Sequence, residues 1–216
     1  MQEDPYKVTF LTWNKIASIY QDKFMDIELY NDTYDLFCEC LRKGNQDILE
    51  IGCGPGNITK FILDKLPDAH IEAIDMAPNM IELAKKNNPK AHFSVMDCRN
   101  IDQLQNKYDG ILCGFCMPYL SLEDCSKLIK VSAFLLQTDG ILYFSTIEGN
   151  YNLSGYETGS TGDRCYVYYY TTEFLQELLN KNGFETIHII KKNYQKTSDM
   201  VSAHLVFIAK KSGLVI

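Results

Sequence analysis

Strand-like and helix-like segments alternate along residues 47–146, and this alternation limits the fold more than any other feature of the sequence. Strands joined by helices form parallel sheets with right-handed crossovers. Short apolar runs predict strands at 47–51, 70–75, 91–96, 108–113 and 140–146. Helical spacing of apolar residues predicts helices at 58–66, 79–88 and 123–136, with a short turn or helix near 102. We therefore expect an α/β domain with a parallel sheet.

The two ends of the chain follow other patterns. Before the alternation, Phe10, Trp13, Ala17, Tyr20 and Phe24 share one face of a helix expected over 10–24, and a second helix is expected from 31 or 32 to 41. After it, a helix over 171–182 precedes two strands, at 185–194 and 201–210, joined by the polar sequence QKTSD. The two strands predict a hairpin, so at least one of them runs antiparallel.

Neither a repeat nor a linker interrupts the sequence, which predicts a single domain over residues 1–216. We divide it into four parts. Residues 1–45 form an N-terminal helical cap, 46–146 a cofactor-binding core, 147–170 a lid or acceptor insertion, and 171–216 a helix with the terminal hairpin. The insertion is irregular and rich in tyrosine, although its segment RCYVYYYT also fits a short extra strand.

A glycine-rich loop, in ILEIGCGPGN, follows the first predicted strand and precedes a helix. Gly52 allows a sharp turn, and Gly54 allows backbone to approach a ligand closely. Such a loop lies at the usual ligand crevice of an open α/β sheet. The dinucleotide pattern GxGxxG would need glycine where Asn57 stands, and Pro55 lacks an N–H that a pyrophosphate would use. A nucleotide-binding loop with a ligand other than a dinucleotide is favoured.

Two acids end the next two predicted strands. Asp75 is placed to accept hydrogen bonds from ribose hydroxyls. The alternative for it is a helix cap or a solvated strand-end acid, although Asn79 fits the cap better. Asp97 is placed to accept from the exocyclic amine of an adenine. Its alternative is a turn-forming role before Asn100.

These segments together resemble the class I S-adenosylmethionine-dependent methyltransferases from about residue 47 to residue 211. The ordered motifs are ILEIGCGPGN, IEAIDMAPNMIELAKKN, FSVMDCRNI, YDGILCGFCMPYLS, LLQTDGILYFST and YYYTTEFLQELLNKNGFE. The resemblance implies a Rossmann-like, doubly wound seven-stranded sheet. That sheet is mostly parallel, with an antiparallel strand in the C-terminal hairpin and helices added at the N-terminus.

The resemblance also implies S-adenosylmethionine as cofactor and assigns its contacts. Three positions of the glycine loop would line the methionine portion, Asp75 would hold the ribose, and Met76 would pack beside the adenine. Asp97 and Cys98 would contact the adenine edge. Gly114 and Phe115 would lie below the sulfonium, and Tyr20 would cover the cofactor. The cofactor-binding residues are then Tyr20, Gly52, Cys53, Gly54, Asp75, Met76, Asp97, Cys98, Gly114 and Phe115. For Tyr20 a role as a core aromatic on an amphipathic helix is equally open.

Methyl transfer from a sulfonium is an in-line displacement, so the protein acts mainly through proximity and orientation. No side chain is assigned as a catalytic base, and the four histidines are interpreted as structural or solvated. The acceptor is expected against residues outside the shared core, namely Met117, Tyr119, Tyr166 and Tyr168. The alternatives are an NAD(P)-binding oxidoreductase and a protein that binds the cofactor without turnover.

Charge and composition narrow the partners. The formal net charge of −7 disfavours a nucleic-acid footprint, which needs a basic face. We therefore expect a small-molecule acceptor, with no nucleic-acid or membrane partner, and leave the oligomeric state open. The absence of a secretory pattern predicts a cytoplasmic protein whose eight cysteines are reduced. Cys113 and Cys116 lack the further ligands of a zinc site, so no metal is expected.

Overall fold

Parallel strands dominate the computed structural model, which describes residues 3–44, 46–197 and 199–212. Within these residues seven strands form one sheet: β1 (Asp47–Ile51), β2 (His70–Asp75), β3 (His92–Val95), β4 (Tyr108–Cys113), β5 (Leu136–Ile147), β8 (Phe184–Thr197) and β9 (Met200–Lys211). Their order in the sheet is β3-β2-β1-β4-β5-β9-β8. Strand β9 runs antiparallel to both of its neighbours, β5 and β8, and the other neighbouring strands pair in parallel. A separate hairpin pairs β6 (Gly155–Thr158) with β7 (Arg164–Val167).

Helices cover both faces of the large sheet. One apolar core joins the sheet to α6 and α7, and the other joins it to α3, α4 and α5. The helices are α1 (Pro5–Lys15), α2 (Ala17–Phe24), α3 (Asn31–Cys40), α4 (Asn57–Lys65), α5 (Pro78–Asn87), α6 (Leu122–Leu135) and α7 (Thr172–Lys181). Short 3₁₀ helices span Cys98–Gln103, Met117–Tyr119 and Tyr151–Leu153. The predicted doubly wound α/β fold is confirmed.

The apolar runs located the central strands correctly. Strands β1, β2 and β4 have the predicted bounds, and the terminal hairpin is present with β9 inserted antiparallel between β5 and β8. Its QKTSD connection includes residue 198, which lies outside the described residues. The extra strand in RCYVYYYT is also present, as β7. The cysteines are free thiols, as predicted.

The single N-terminal helix expected over 10–24 is wrong. Two helices occupy the region, and the chain leaves helical geometry between them at Ile16, whose φ is −96° and ψ is 15°. The first helix also begins earlier because Asp4 caps it, accepting a hydrogen bond from the N–H of Tyr6, and Pro5 occupies its first turn. As a result, α1 is a separate element that packs across the carboxyl edge of the sheet.

Among the described residues, none of the helices combines the length and the apolar character that crossing a bilayer requires.

Candidate active site

A cavity opens at the carboxyl ends of β1, β2, β3 and β4, beneath α1 and α2. It encloses about 860 Å³ of empty space, counted to its open mouth. It is lined by Tyr6, Thr9, Phe10, Trp13, Tyr20, Gly52, Gly54, Asp75, Met76, Met80, Met96, Asp97, Cys98, Gly114, Phe115, Cys116, Tyr119 and Leu120.

The glycine loop forms one wall of the cavity in a backbone conformation that requires glycine. Gly52, Gly54 and Gly56 have φ values of +71°, +53° and +83°. A Cβ on Gly52 would lie 2.9 Å from the Cβ of Cys116, whereas a Cβ on Gly54 would meet only the Tyr20 ring, at 3.6 Å. Gly52 therefore permits tight packing against the segment after β4, and Gly54 leaves room at the wall.

The amide groups of this loop are already bonded within the protein. Gly52 and Cys53 donate to the carbonyl of Ile74, at 2.8 and 3.0 Å. Gly54 donates to Asp75 Oδ2 at 3.0 Å, and Gly56 donates to the carbonyl of Cys53 at 3.0 Å. Position 55 is proline and has no N–H. The loop from 52 to 56 thus offers no free amide to a pyrophosphate.

Asp75 fastens two backbone segments around the cavity. Its Oδ2 accepts from Gly54 and its Oδ1 accepts from the N–H of Ala77 at 2.8 Å. Burial raises the pKa of the Asp75 carboxyl, while these two hydrogen bonds oppose the shift. The helix cap assigned to Asn79 is wrong, because α5 begins at Pro78 and the N–H of Asn79 donates to Asn14 Oδ1 at 3.0 Å.

Asp97 lies at the cavity wall and is paired with Arg99. The Arg99 Nε lies 2.9 Å, and its Nη2 2.5 Å, from Asp97 Oδ2, and the Arg99 N–H donates to Oδ1 at 2.9 Å. Burial works to raise the pKa of the Asp97 carboxyl, but the bonds from Arg99 outweigh it and lower that pKa. Asp97 caps the following 3₁₀ helix, in agreement with the turn-forming alternative, and it also lines the cavity.

Glu50, which the sequence analysis missed, is a buried acid in β1, two residues before Gly52. The Thr59 hydroxyl donates to its Oε2 at 2.5 Å, whereas Oε1 has no hydrogen-bond partner among the described residues. Only 2% of Glu50 is exposed, and burial raises the pKa of its carboxyl to about 8. An acid inside the apolar run DILEI was the available sign, since charged residues are rarely buried without a function or a partner.

Aromatic side chains form the opposite side of the cavity. Trp13 meets Tyr20 and Tyr119 edge-on, both with ring centroids 5.4 Å apart. Tyr6 lies under the Arg99 guanidinium, 4.0 Å from the ring centroid, and its hydroxyl donates to Asp124. The amphipathic face of the N-terminal region was visible in the sequence, whereas its position over the cavity was expected only from the family resemblance, through Tyr20.

The cavity brings together most of the predicted site residues and leaves out four. Those that line it are Tyr20, Gly52, Gly54, Asp75, Met76, Asp97, Cys98, Gly114, Phe115 and Tyr119. Cys53 and Met117, by contrast, are 2% and 0% exposed and pack into the two apolar cores. Tyr166 and Tyr168 lie in and beside β7, packed against the core on the α6 and α7 face.

The β6–β7 hairpin is fastened to α1. Thr12 donates through Oγ1 to the carbonyl of Arg164 at 2.6 Å, and the N–H of Tyr166 donates to Thr9 Oγ1 at 3.0 Å. A salt bridge of 2.7 Å joins Lys15 to Asp163. Side chains of α1 therefore form hydrogen bonds with backbone groups along the edge of β7, and the hairpin supports the helix that covers the cavity.

Phe115 lies at the junction between the cavity and an aromatic cluster behind it. Its φ of +53° is unusual for a residue with a side chain, and its N–H donates to Ser145 Oγ at 2.9 Å. The ring contacts Tyr30 and His204, with centroids 5.0 and 4.8 Å away. His204 Nδ1 lies 2.7 Å from the Tyr30 hydroxyl, and burial lowers the histidine pKa to about 4. The predicted structural role of His204 agrees with this packing.

Comparisons with known proteins show that this chain is similar to methyltransferases. Residues 48–140 match a family described as a methyltransferase domain. The malonyl-[acyl-carrier protein] O-methyltransferase of Acetivibrio thermocellus is 38% identical over 106 residues, which are 48% of this chain and 36% of that protein. The enzyme of the same name from Brevibacillus brevis is 30% identical over 160 residues, covering 68% of this chain and 57% of the relative. The matched segment thus spans roughly a third to just over half of these relatives.

Solved structures share the fold. Magnesium protoporphyrin IX methyltransferase from Synechocystis PCC 6803 superposes with a TM-score of 0.73 and 16% identity, over 97% of this chain and 100% of that one. An S-adenosylmethionine-dependent methyltransferase from Clostridium acetobutylicum gives 0.70 and 17%, over 94% and 100%. At these identities the likeness concerns the fold alone.

The fold, the glycine loop and the strand-end acid agree with the match of residues 48–140 to a methyltransferase domain. The chain is thus similar in sequence and fold to the class I S-adenosylmethionine-dependent methyltransferases, as the sequence motifs predicted. S-adenosylmethionine is the cofactor of this family, and structural neighbours hold it or its demethylated product.

Proposed function

We propose that this protein transfers a methyl group from S-adenosylmethionine to a small-molecule acceptor bound in the cavity. The observation that carries the proposal is the continuity of the cavity. Its polar wall, with Gly54 and Asp75, suits the cofactor, and the same space extends to the aromatic wall of α1 and Tyr119. The net charge of −7 supports an acceptor other than a nucleic acid.

Two features fit the cofactor, one in β1 just before the glycine loop and one in the polar wall. Glu50 Oε1 is a buried acceptor without a partner among the described residues, and the amino-acid end of S-adenosylmethionine carries an ammonium donor. Gly54 leaves open the position that a side chain would fill. In this proposal Gly52, Cys53 and Gly54 line the methionine portion, with Cys53 contributing only backbone.

The remaining cofactor contacts follow from position along the sheet. Asp75 would accept from the ribose hydroxyls, since each carboxylate oxygen retains a second lone pair. Met76, Asp97 and Cys98 would surround the adenine, while Tyr20, Gly114 and Phe115 would enclose the sulfonium. When bound, the cofactor supplies the reactive methyl carbon and a good leaving group. The chain then needs to orient the acceptor and keep water out.

The loop amides argue against a dinucleotide. Residues 52–56 use their available N–H groups within the protein, so a pyrophosphate would gain no hydrogen bond from them. This observation separates the proposal from an NAD(P)-dependent oxidoreductase, whose loop amides approach the phosphates.

Calorimetric titration of the whole chain with S-adenosylmethionine, S-adenosylhomocysteine and NADH tests the cofactor. We expect heat from the two sulfur compounds and none from NADH, and the reverse would refute the proposal. Transfer of a deuterated methyl group to a metabolite extract then tests turnover. Cofactor binding with no methylated product in any extract would instead identify a protein that only binds.

A further inference from the structure

The cavity is lined by aromatic and acidic side chains. Six aromatic rings line it, and its carboxylates belong to Asp75 and Asp97. Within the part of the chain that the structure describes, the lining contains no lysine, arginine or histidine. We propose that the methyl acceptor is a small amine, which binds as its neutral free base and is methylated on nitrogen. This inference rests on the proposed function.

Charge balance disfavours an anionic acceptor. S-adenosylmethionine carries one net positive charge, from its sulfonium, ammonium and carboxylate groups. Ionised Asp75 offsets that charge, whereas Asp97 already has its own counter-ion in Arg99. A carboxylate acceptor would therefore bring a second, unmatched negative charge into an apolar space, which is costly. A neutral amine leaves the balance unchanged.

Two basic side chains near the cavity, those of Arg99 and His204, are held in other interactions. The Arg99 guanidinium forms three hydrogen bonds to Asp97 and stacks on Tyr6, so it does not turn toward an acceptor without breaking both contacts. His204 lies behind Phe115 and is bonded to Tyr30, and its burial lowers the imidazole pKa to about 4. Neither residue provides a carboxylate-binding charge at the cavity surface.

The lining also lacks a base suited to a hydroxyl acceptor. Burial raises the pKa of Tyr20 to about 12 and that of Tyr119 well above the usual value, so both phenols stay protonated at neutral pH. Asp75 is occupied by two backbone N–H groups and Asp97 by Arg99. An alcohol or phenol would have to lose its proton for reaction, whereas a free amine has its lone pair available.

The step balances without a further reactant. The nitrogen lone pair attacks the methyl carbon, the carbon–sulfur bond breaks, and its electron pair returns to sulfur as the thioether of S-adenosylhomocysteine. The positive charge moves from sulfur to nitrogen, and it remains inside the aromatic walls. Trp13, Tyr20 and Phe115 line the cavity, and aromatic rings of this kind attract a methylammonium. A primary or secondary amine then loses a proton to solvent after release.

Labelled transfer identifies the acceptor class. The whole protein is incubated with methyl-deuterated S-adenosylmethionine and a metabolite extract separated into cationic, neutral and anionic fractions. We expect label in the cationic fraction, in a product stable to alkali. Label in an alkali-labile methyl ester, or on oxygen, sulfur or carbon, would overturn the inference while leaving the methyltransferase proposal intact. Binding of S-adenosylhomocysteine with no label in any fraction would overturn both the turnover proposal and this inference.

A second measurement does not depend on finding the acceptor. The S-adenosylhomocysteine complex is titrated with choline, its neutral isostere 3,3-dimethylbutanol and the anion 3,3-dimethylbutanoate. We expect choline to bind best and the carboxylate worst. In Trp13→Leu the preference for choline over the alcohol should shrink several-fold, whereas Trp13→Phe should retain most of it. Equal binding of the three probes, or preference for the carboxylate, would overturn the inference.

Discussion

Asp75→Asn changes one charge at the centre of the site and almost nothing in shape. The carboxylate now accepts from Gly54 at 3.0 Å through one oxygen and from Ala77 at 2.8 Å through the other. Asparagine has a single acceptor oxygen, so its NH₂ group must face one of these N–H donors. The variant therefore breaks one bond that shapes the cavity and removes the charged acceptor expected to hold the ribose.

The two losses have different magnitudes and different readouts. A hydrogen bond to a charged acceptor contributes about 1.5–3 kcal/mol. With roughly 1.4 kcal/mol for each tenfold change, loss of one ribose bond should raise the dissociation constant of S-adenosylhomocysteine about 10- to 150-fold. An unsatisfied N–H costs about 1–3 kcal/mol of folding stability. For a chain of this size that lowers Tm by roughly 2–4 °C per kcal/mol.

Calorimetry with S-adenosylhomocysteine at pH 7.5 and thermal unfolding without ligand separate these effects. Asp102→Asn is the matched control, since Asp102 lies near the same edge of the sheet, half exposed, in a surface salt bridge of 3.3 Å to Lys127. We expect the control to change neither value measurably. An Asp75→Asn protein that binds within about twofold of wild type would refute the ribose assignment. A lower Tm with unchanged affinity would leave Asp75 only its structural role.

Three further predictions concern pH and the covering helix. Glu50 has a folded-state pKa of about 8, so the native protein keeps a proton that the unfolded chain releases, and unfolding free energy should fall as pH rises from about 4.5 to 8. Glu50→Gln should flatten that slope in urea unfolding, and an unchanged slope would contradict the assignment. For His204 the folded pKa of about 4 means that stability should fall as pH drops from 6.5 toward 4, by about 3 kcal/mol. His204→Phe should remove this loss, and a persistent loss would point to another group. Thr9→Val with Thr12→Val should speed S-adenosylhomocysteine dissociation about tenfold, from roughly 1.4 kcal/mol of lost hydrogen bonding. Thr158→Val is the control, and equal off-rates in stopped flow would contradict the coupling of hairpin and α1.

The sheet and its polar wall could be predicted because each depends on local sequence. Buried parallel strands are near-continuous apolar runs, so DILEI and YDGILC located β1 and β4. The carboxyl ends of parallel strands share one edge, which brought Asp75 and Asp97 to the glycine loop. Loop glycines and strand-end acids therefore followed from residue order alone.

Other features depend on tertiary packing. Neighbouring residues of a loop or short helix point in different directions, so Cys53 and Met117 face the cores although their neighbours face the cavity. The amphipathic face of α1 predicted that the helix packs against an apolar surface of the protein, but it did not identify that surface. Tyr166 and Tyr168 failed to line the cavity because α1 lies there, and the hairpin packs on α1.

The division of the cavity into two walls has a consequence for specificity. The polar wall comes from segments directly after β1, β2, β3 and β4, which the fold itself brings together. Much of the aromatic wall comes from α1, which is held by side-chain bonds to a hairpin some 150 positions later in the chain. Substitutions on the inner face of α1, such as at Phe10, can therefore change the acceptor while sparing the glycine loop and Asp75. Because the Thr9 and Thr12 bonds join α1 to the hairpin, we expect any displacement of α1 away from the cavity to involve the hairpin as well.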